Sequence, residues 1–311
     1  MCIFVIKRHL LIYLALIVSI LSIANPSFAI ECLNTRFLFE IEPNANQPSD
    51  IAVSPNGYIY IVDGVNNVIR VVDSDGRWLF AFGEEGAEKG QFKYPLGIDI
   101  SDDGKIFIAD TGNHRIQVFD SDGKFLYMFT VKSDPKEKPS DPVDVLVSNL
   151  KNYLYVSDND NHKIRVYSQK GAFEFEWGNF GEGSGEFRFP AMLATNQYNE
   201  VFVVDVLNTR AQKFDPFGKF ISDISSWGVL PGKVFRPKGI TTDKKNRVFI
   251  SDSYMGVIQA FTDLGRFLGV VCENNRKRVF NTPVGILIDN KNRLLVVEMR
   301  ANKISVLKVL D

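Results

Sequence analysis

The sequence predicts an all-β fold, a six-bladed β-propeller of four-stranded antiparallel blades closed by an outer strand from the N-terminus. Three observations carry that reading. An acid recurs at Asp63, Asp110, Asp158, Asp205, Asp252 and Glu298, and a proline keeps the same step of 46 to 48 residues at Pro48, Pro95, Pro142, Pro190, Pro237 and Pro283. Each unit holds four short runs of alternating apolar and polar residues, separated by turn residues. The last unit stops after its third run, while one matching run near the start of the chain is left over. Repeats of this kind close into a ring and leave each sheet only a short, protected edge.

The first 29 residues form a separate element. Lys7 and Arg8 precede the apolar run LLIYLALIVSILSIA, and NPSFA ends in a small-x-small pattern at Ser27 and Ala29. That is the layout of a secretory signal, with cleavage expected after Ala29. An uncleaved anchor is the alternative, opposed by Pro26 and the short run. The protein is therefore expected to be exported, periplasmic or extracellular, with no membrane insertion after cleavage and a single propeller over 30–311. Glu31 before Cys32 is unlike a lipoprotein processing site.

Within the propeller the second unit shows the elements in order. GIDIS (97–101) and KIFIAD (105–110) precede the D-x-x-N turn, and RIQVF (115–119) and KFLYMF (124–129) follow it. The first turn holds Gly57, Gly104, Asn152, Asn199, Asn246 and Asn292 at one register, residue types that tolerate positive φ. The third turn holds Gly76, Gly123, Gly171, Gly218 and Gly265, where glycine ends a tight hairpin with a bulge. The unassigned run NTRFLFEI (34–41) resembles DGRWLFAF (75–82) and DGKFLYMF (122–129), so it should supply the sixth blade's missing outer strand.

Two cysteines remain after the signal, Cys32 and Cys272. Cys272 ends the outer strand of blade five, and Cys32 precedes the outer strand of blade six near the opposite face. A strand of about six residues spans roughly 20 Å, so no bridge between them is expected.

P-x-G-I-x-(I/V), a strand ending in Asp, and N-H-R-I-Q-V-F (113–119) together resemble the NHL repeat family. The glycine-rich stretches GEEGAEKGQFKYP (83–95) and GNFGEGSGEFRFP (178–190) are similar to the linker before the next NHL repeat. The resemblance covers 34–311, is strongest in units two and three, and is degraded in five and six. It implies a six-bladed propeller that is usually a binding platform and less often an enzyme.

The polar features read first as structure. Asp110 is followed at +5 by Arg115, Asp158 by Lys163, Asp205 by Arg210 and Glu298 by Lys303, positions that face one another across a hairpin. With Asn113 and its equivalents, the six acids are expected to build turns. His114 and His162 share one turn position and are expected to be exposed. Propeller zinc lyases are related to NHL repeats, but a catalytic zinc generally wants about three protein ligands, and only two histidines remain outside the signal. A calcium-dependent lactonase or esterase needs six to eight oxygens. The channel register two after each proline reads Asp50, Gly97, Asp144, Met192, Gly239 and Gly285, so Asp50 and Asp144 are weak candidates for a channel cation. No catalytic residue and no cofactor is expected, although a structural or channel calcium is not excluded. Removing Lys7 and Arg8 with the signal leaves 34 basic against 37 acidic residues, a net charge of −3, which opposes nucleic-acid binding.

Unit five departs most. Its turn carries Tyr254 and Met255, and the linker before it carries Trp227, Leu230 and Phe235; the next linker adds Arg276, Lys277 and Arg278. An aromatic-apolar group with a basic rim suits a partner-binding site, unless Trp227 and Phe235 fold inward as Phe92 and Phe187 are expected to. The resulting expectation is a monomeric, non-catalytic binding or scaffold propeller whose loop face meets a protein or cell-envelope polymer. A propeller hydrolase or lyase with a divalent cation in its channel is the alternative.

Overall fold

A ten-residue strand, β1 (Cys32–Ile41), comes first among the described residues, but its partners lie at the far end of the sequence. The computed structural model describes residues 31–132, 134–148 and 150–310; the expected signal at 1–29 lies outside them. Four-stranded antiparallel sheets then follow in sequence order. Blade one is β2 (Ile51–Val53), β3 (Ile59–Asp63), β4 (Val68–Val72) and β5 (Trp78–Phe82). Blade two is β6 (Pro95–Ile100), β7 (Ile106–Asp110), β8 (Arg115–Phe119) and β9 (Phe125–Thr130). Blade three is β10 (Pro142–Val147), β11 (Tyr153–Asp158), β12 (Lys163–Ser168) and β13 (Phe173–Trp177). Blade four is β14 (Pro190–Thr195), β15 (Val201–Asp205), β16 (Arg210–Phe214) and β17 (Phe220–Ser225). Blade five is β18 (Pro237–Thr242), β19 (Val248–Asp252), β20 (Val257–Phe261) and β21 (Phe267–Glu273), with the two-residue β22 (Arg276–Lys277) folded back on β21. Blade six is β23 (Pro283–Ile288), β24 (Arg293–Glu298), β25 (Lys303–Val309) and, as its fourth strand, β1.

The innermost strands β2, β6, β10, β14, β18 and β23 are neighbours in turn, and β23 also meets β2, which closes the ring. The second strands are buried at every position from Ile59 to Asp63 and from Ile106 to Asp110, because each is covered by the next blade on one face and the previous on the other. Packing is between blades. Tyr60, Val62 and Ile69 of blade one meet Ile98, Ile106 and Ile108 of blade two around the linker residue Phe92. Blade six meets blade one through Val297, Ile304 and Val306 against Ile59 and Ile61. Turn glycines serve the same packing: a Cβ on Gly123, at φ +77°, would lie 2.6 Å from the Phe82 ring of the preceding blade.

β1 pairs antiparallel with β25, from Arg36 opposite Lys308 to Ile41 opposite Ile304, and so closes blade six. It also begins two residues before the expected run. Cys32 to Thr35 run parallel to β21, with Cys32 opposite Val270 and Thr35 opposite Glu273. Cys32 and Cys272 form a disulfide with Cα atoms 5.5 Å apart, which corrects the expectation of two separate thiols. Strand twist is the reason. A rotation of about 20–25° per strand pair accumulates over four strands and turns the outer strands along the rim. The end of one outer strand then meets the start of the next instead of lying a strand length away.

Candidate functional site

The six repeated acids do more than build a hairpin. In every blade the carboxylate accepts the backbone N–H of the residue 17 positions upstream, in the linker that leads into the blade. The pairs are Asp63 with Asn46 (3.0 Å), Asp110 with Lys93 (2.8 Å) and Asp158 with Asp141 (3.0 Å). Asp205 with Arg188 (2.7 Å), Asp252 with Phe235 (2.6 Å) and Glu298 with Asn281 (2.7 Å) complete the set. In blades one to four an arginine Nε donates to the same acid: Arg70, Arg115, Arg165 and Arg210. Asp158 therefore takes Arg165 and not the expected Lys163, which reaches Glu137 and Glu176 instead. Asn113 donates to Asp110, and Lys303 stands 4.0 Å from Glu298.

His114 and His162 are partly buried, not exposed. His114 Nδ1 lies 2.6 Å from the Ser140 carbonyl, and His162 Nδ1 accepts the Phe189 N–H at 3.2 Å. Each ties its turn to the following linker, as Asn67 does for Tyr94 and Asn302 for Gln47. These side chains are spent on structure.

Blade five lacks the asparagine and the arginine, and the consequence is local. Asp252 Oδ1 is left to accept the turn N–H groups of Tyr254 and Met255, at 3.1 and 2.9 Å. The turn is held by its own backbone, so its side chains are released. Gly256, at φ +64°, takes the place of the linker-tying side chain, and its carbonyl accepts the Phe280 N–H directly. In the linker before it, Val234 is the buried plug equivalent to Phe92 and Phe187. Trp227 is thereby left 67% exposed and Tyr254 65% exposed.

These residues border a pocket of about 930 Å³ on the linker face over blades four to six. Trp227, Phe235, Tyr254 and Met255 all line it, and the Phe235 and Tyr254 rings stand 4.8 Å apart. Leu207 of the blade-four turn and Met299 of the blade-six turn complete its apolar wall. Leu230 is exposed but outside the pocket. The expected basic rim is elsewhere: Arg276, Lys277 and Arg278 border a separate recess with Glu273 and Asn274. Arg278 is already engaged, by Glu273 at 2.8 Å and by the Phe37 and Phe280 rings. The cations in the pocket are ones that sequence reasoning missed, Arg236, Lys238 and Arg300. Burial, with Arg236 beside it, holds the Lys238 ammonium below the usual lysine range. Arg236 and Lys238 flank Pro237 and Arg300 follows Glu298 by two, so their positions in the repeat were the signal available.

The central channel holds a second cavity of about 250 Å³, with carboxylates on one side and apolar residues of blades four to six on the other. Asp50 and Asp144 do face it, and Asp99, four after its proline, joins them because positions two and four share a face. Each acid stitches its blade to the next: Asp50 accepts the Ile98 N–H, Asp99 that of Val147 and Asp144 that of Leu193. The alternating glycines make room for them. A Cβ on Gly97 would lie 2.5 Å from the Asp144 carboxylate, and one on Gly285 would lie 2.6 Å from that of Asp50. Burial pushes Asp50 up to about 7 and Asp99 up to about 6; burial and then the charge of Asp50 raise Asp144 well above the usual range. Among the described residues no group of three His, Cys, Asp or Glu is arranged to hold a metal ion. Three carboxylates that each have an oxygen accepting a backbone N–H supply only part of the six to eight oxygens of a calcium site.

Six sheets around an axis, stitched at the channel and laced by their linkers, define a β-propeller. Residues 92–119 match the NHL repeat, so the chain carries at least one such repeat within its propeller. Known structures of similar fold include a streptogramin B lyase (18% identity, TM-score 0.63, covering 89% of this chain and 98% of that one). A catalytically inactive virginiamycin B lyase from Staphylococcus aureus with quinupristin is similar at 16% identity and TM-score 0.62, over 85% of this chain and 80% of that one. A gluconolactonase from Xanthomonas campestris is similar at 13% identity and TM-score 0.67, over 91% and 97%. At these identities the likeness concerns the fold. No curated protein matches in sequence.

Proposed function

We propose that this chain is an exported binding propeller, without catalysis of its own, that seats a protein or cell-envelope polymer on its linker face over blades four to six. One observation carries the reading: the turn of blade five, whose acid accepts the turn's own N–H groups, presents Tyr254 beside the linker residues Trp227 and Phe235 around one pocket. The linker positions equivalent to Trp227 hold Glu85 and Phe180, and Phe180 is also 65% exposed, so what sets blade five apart is that Trp227 stands with Phe235, Tyr254 and Met255 around one pocket. The Cys32–Cys272 bond supports the export part, since disulfides persist in oxidising compartments.

The test is a Trp227→Ala/Tyr254→Ala variant used as bait beside the wild type in envelope and secreted fractions. It should melt as the wild type does and lose the partner that the wild type captures. Unfolding of the variant would assign both rings to the core, and undiminished capture would move the binding face elsewhere.

A further inference from the structure

Arg236, Lys238 and Arg300 line one pocket that has no Asp or Glu in its wall, and none of the three forms an ion pair among the described residues. This breaks the pattern of the molecule. Arg236 and Arg300 are exposed and Lys238 is half-buried, whereas partly buried arginines elsewhere are matched: Arg70, Arg115 and Arg210 to the repeated acids, and Arg247 and Arg293 to Asp243 and Asp289. Lys213, almost fully buried, has Glu200 and Asp263. Lys238 is partly withdrawn from water beside the exposed Arg236 and Arg300, and a cation so placed without a counter-charge is costly. Lys238 has no hydrogen-bond acceptor and is only half exposed, and Arg236 rests over the Tyr254 ring at 5.6 Å. An anion entering the pocket would relieve all three.

We infer that the pocket takes an acidic side chain of a protein partner, carried between large apolar residues. The inference rests on the linker-face reading above and names the chemistry the face selects. Charge complementarity supplies the acid. The apolar flanks follow from Trp227, Tyr254 and Val279, which line the pocket and are 65–67% exposed; Leu230, on the same linker as Trp227 but outside the pocket, is 71% exposed, so exposed apolar surface is not confined to the cavity that a small molecule would fill. Trp, Tyr and Arg are also the side chains that dominate protein interfaces.

The test is selection of random heptapeptides with blocked ends on three immobilised proteins: wild type, Lys238→Met/Arg300→Met, and Trp227→Ala/Tyr254→Ala. Unchanged melting of both variants certifies the baits. Wild type should enrich Asp or Glu flanked by Phe, Trp or Leu, and replacing that acid by its amide should weaken binding about ten-fold. The Lys238→Met/Arg300→Met bait should keep the apolar preference and lose the acid. Apolar peptides without an acid from wild type would overturn the anion inference and leave the linker-face reading standing. Enrichment that survives in Trp227→Ala/Tyr254→Ala would remove both. Displacement of the selected peptides by an equal concentration of 2-naphthoate, and not by 2-naphthamide, would assign the pocket to a free small acid and overturn the protein-segment assignment.

Discussion

Cys32 and Cys272, 240 residues apart in sequence, are bonded to each other where the outer strands of blades five and six meet. The bond sits beside a second set of ties at the same seam. Thr35 Oγ1 donates to the Cys272 carbonyl at 2.9 Å, and the Asn34 and Asn275 side chains hydrogen-bond at 2.6 Å. Closing so long a loop restricts the unfolded chain strongly. Reduction, or Cys32→Ser, should cost about 2–4 kcal/mol in urea unfolding. Two free thiols by intact mass in protein purified without reductant would count against the bond.

Deleting 32–41 removes both the bond and the fourth strand of blade six. β25, with Ile304 and Val306 buried, becomes an open apolar edge. This variant should aggregate or melt well below Cys32→Ser, because strand pairing and packing are lost as well as the crosslink. Equal melting of the two variants would show that β1 contributes only its cysteine.

The opening turn of blade two offers an ordering test. Asp110 is fully buried and accepts from the Lys93 N–H, Asn113, Arg115 and Gln117. Asp110→Ala leaves the buried Arg115 guanidinium without its counter-charge and should cost about 3–5 kcal/mol. His114→Ala loses one hydrogen bond to Ser140 and should cost about 0.5–1.5 kcal/mol. A histidine loss more damaging than the aspartate loss would contradict this assignment of roles.

The channel acids give stability a pH dependence. Asp50, at about 7, and Asp99, at about 6, lie above their ordinary value, so the folded state holds protons that the unfolded chain releases. Their contribution is fully present below about pH 4 and is lost as pH rises to about 7, at up to about 1.4 kcal/mol per pH unit for each proton held. Asp50→Asn/Asp144→Asn keeps an acceptor for the Ile98 and Leu193 N–H groups and should flatten that decline. Identical slopes for variant and wild type would mean that the acids ionise normally in the folded state.

Much of this was legible in the sequence because it is local and repeated. The positive-φ turn positions from Gly57 to Asn292 follow from steric rules acting within four residues. The exceptional turn at Tyr254 and Met255 showed against the regular ones of units one to four. Arg236, Lys238 and Arg300 did not, because ordinary basic residues become a site only when blades five and six bring them to one cavity.

The sequence by itself determined the repeat, the strand order and the need for a closing strand, since periodicity and an incomplete last unit are properties of the chain. Tertiary structure decided what those elements meet. Twist accumulated across each blade brought Cys32 to Cys272, ring closure set Asp50 against Gly285, and the linker register put Val234 in the core and Trp227 at the surface. Each outcome depends on the distance between residues far apart in the chain, which spacing along the sequence does not encode.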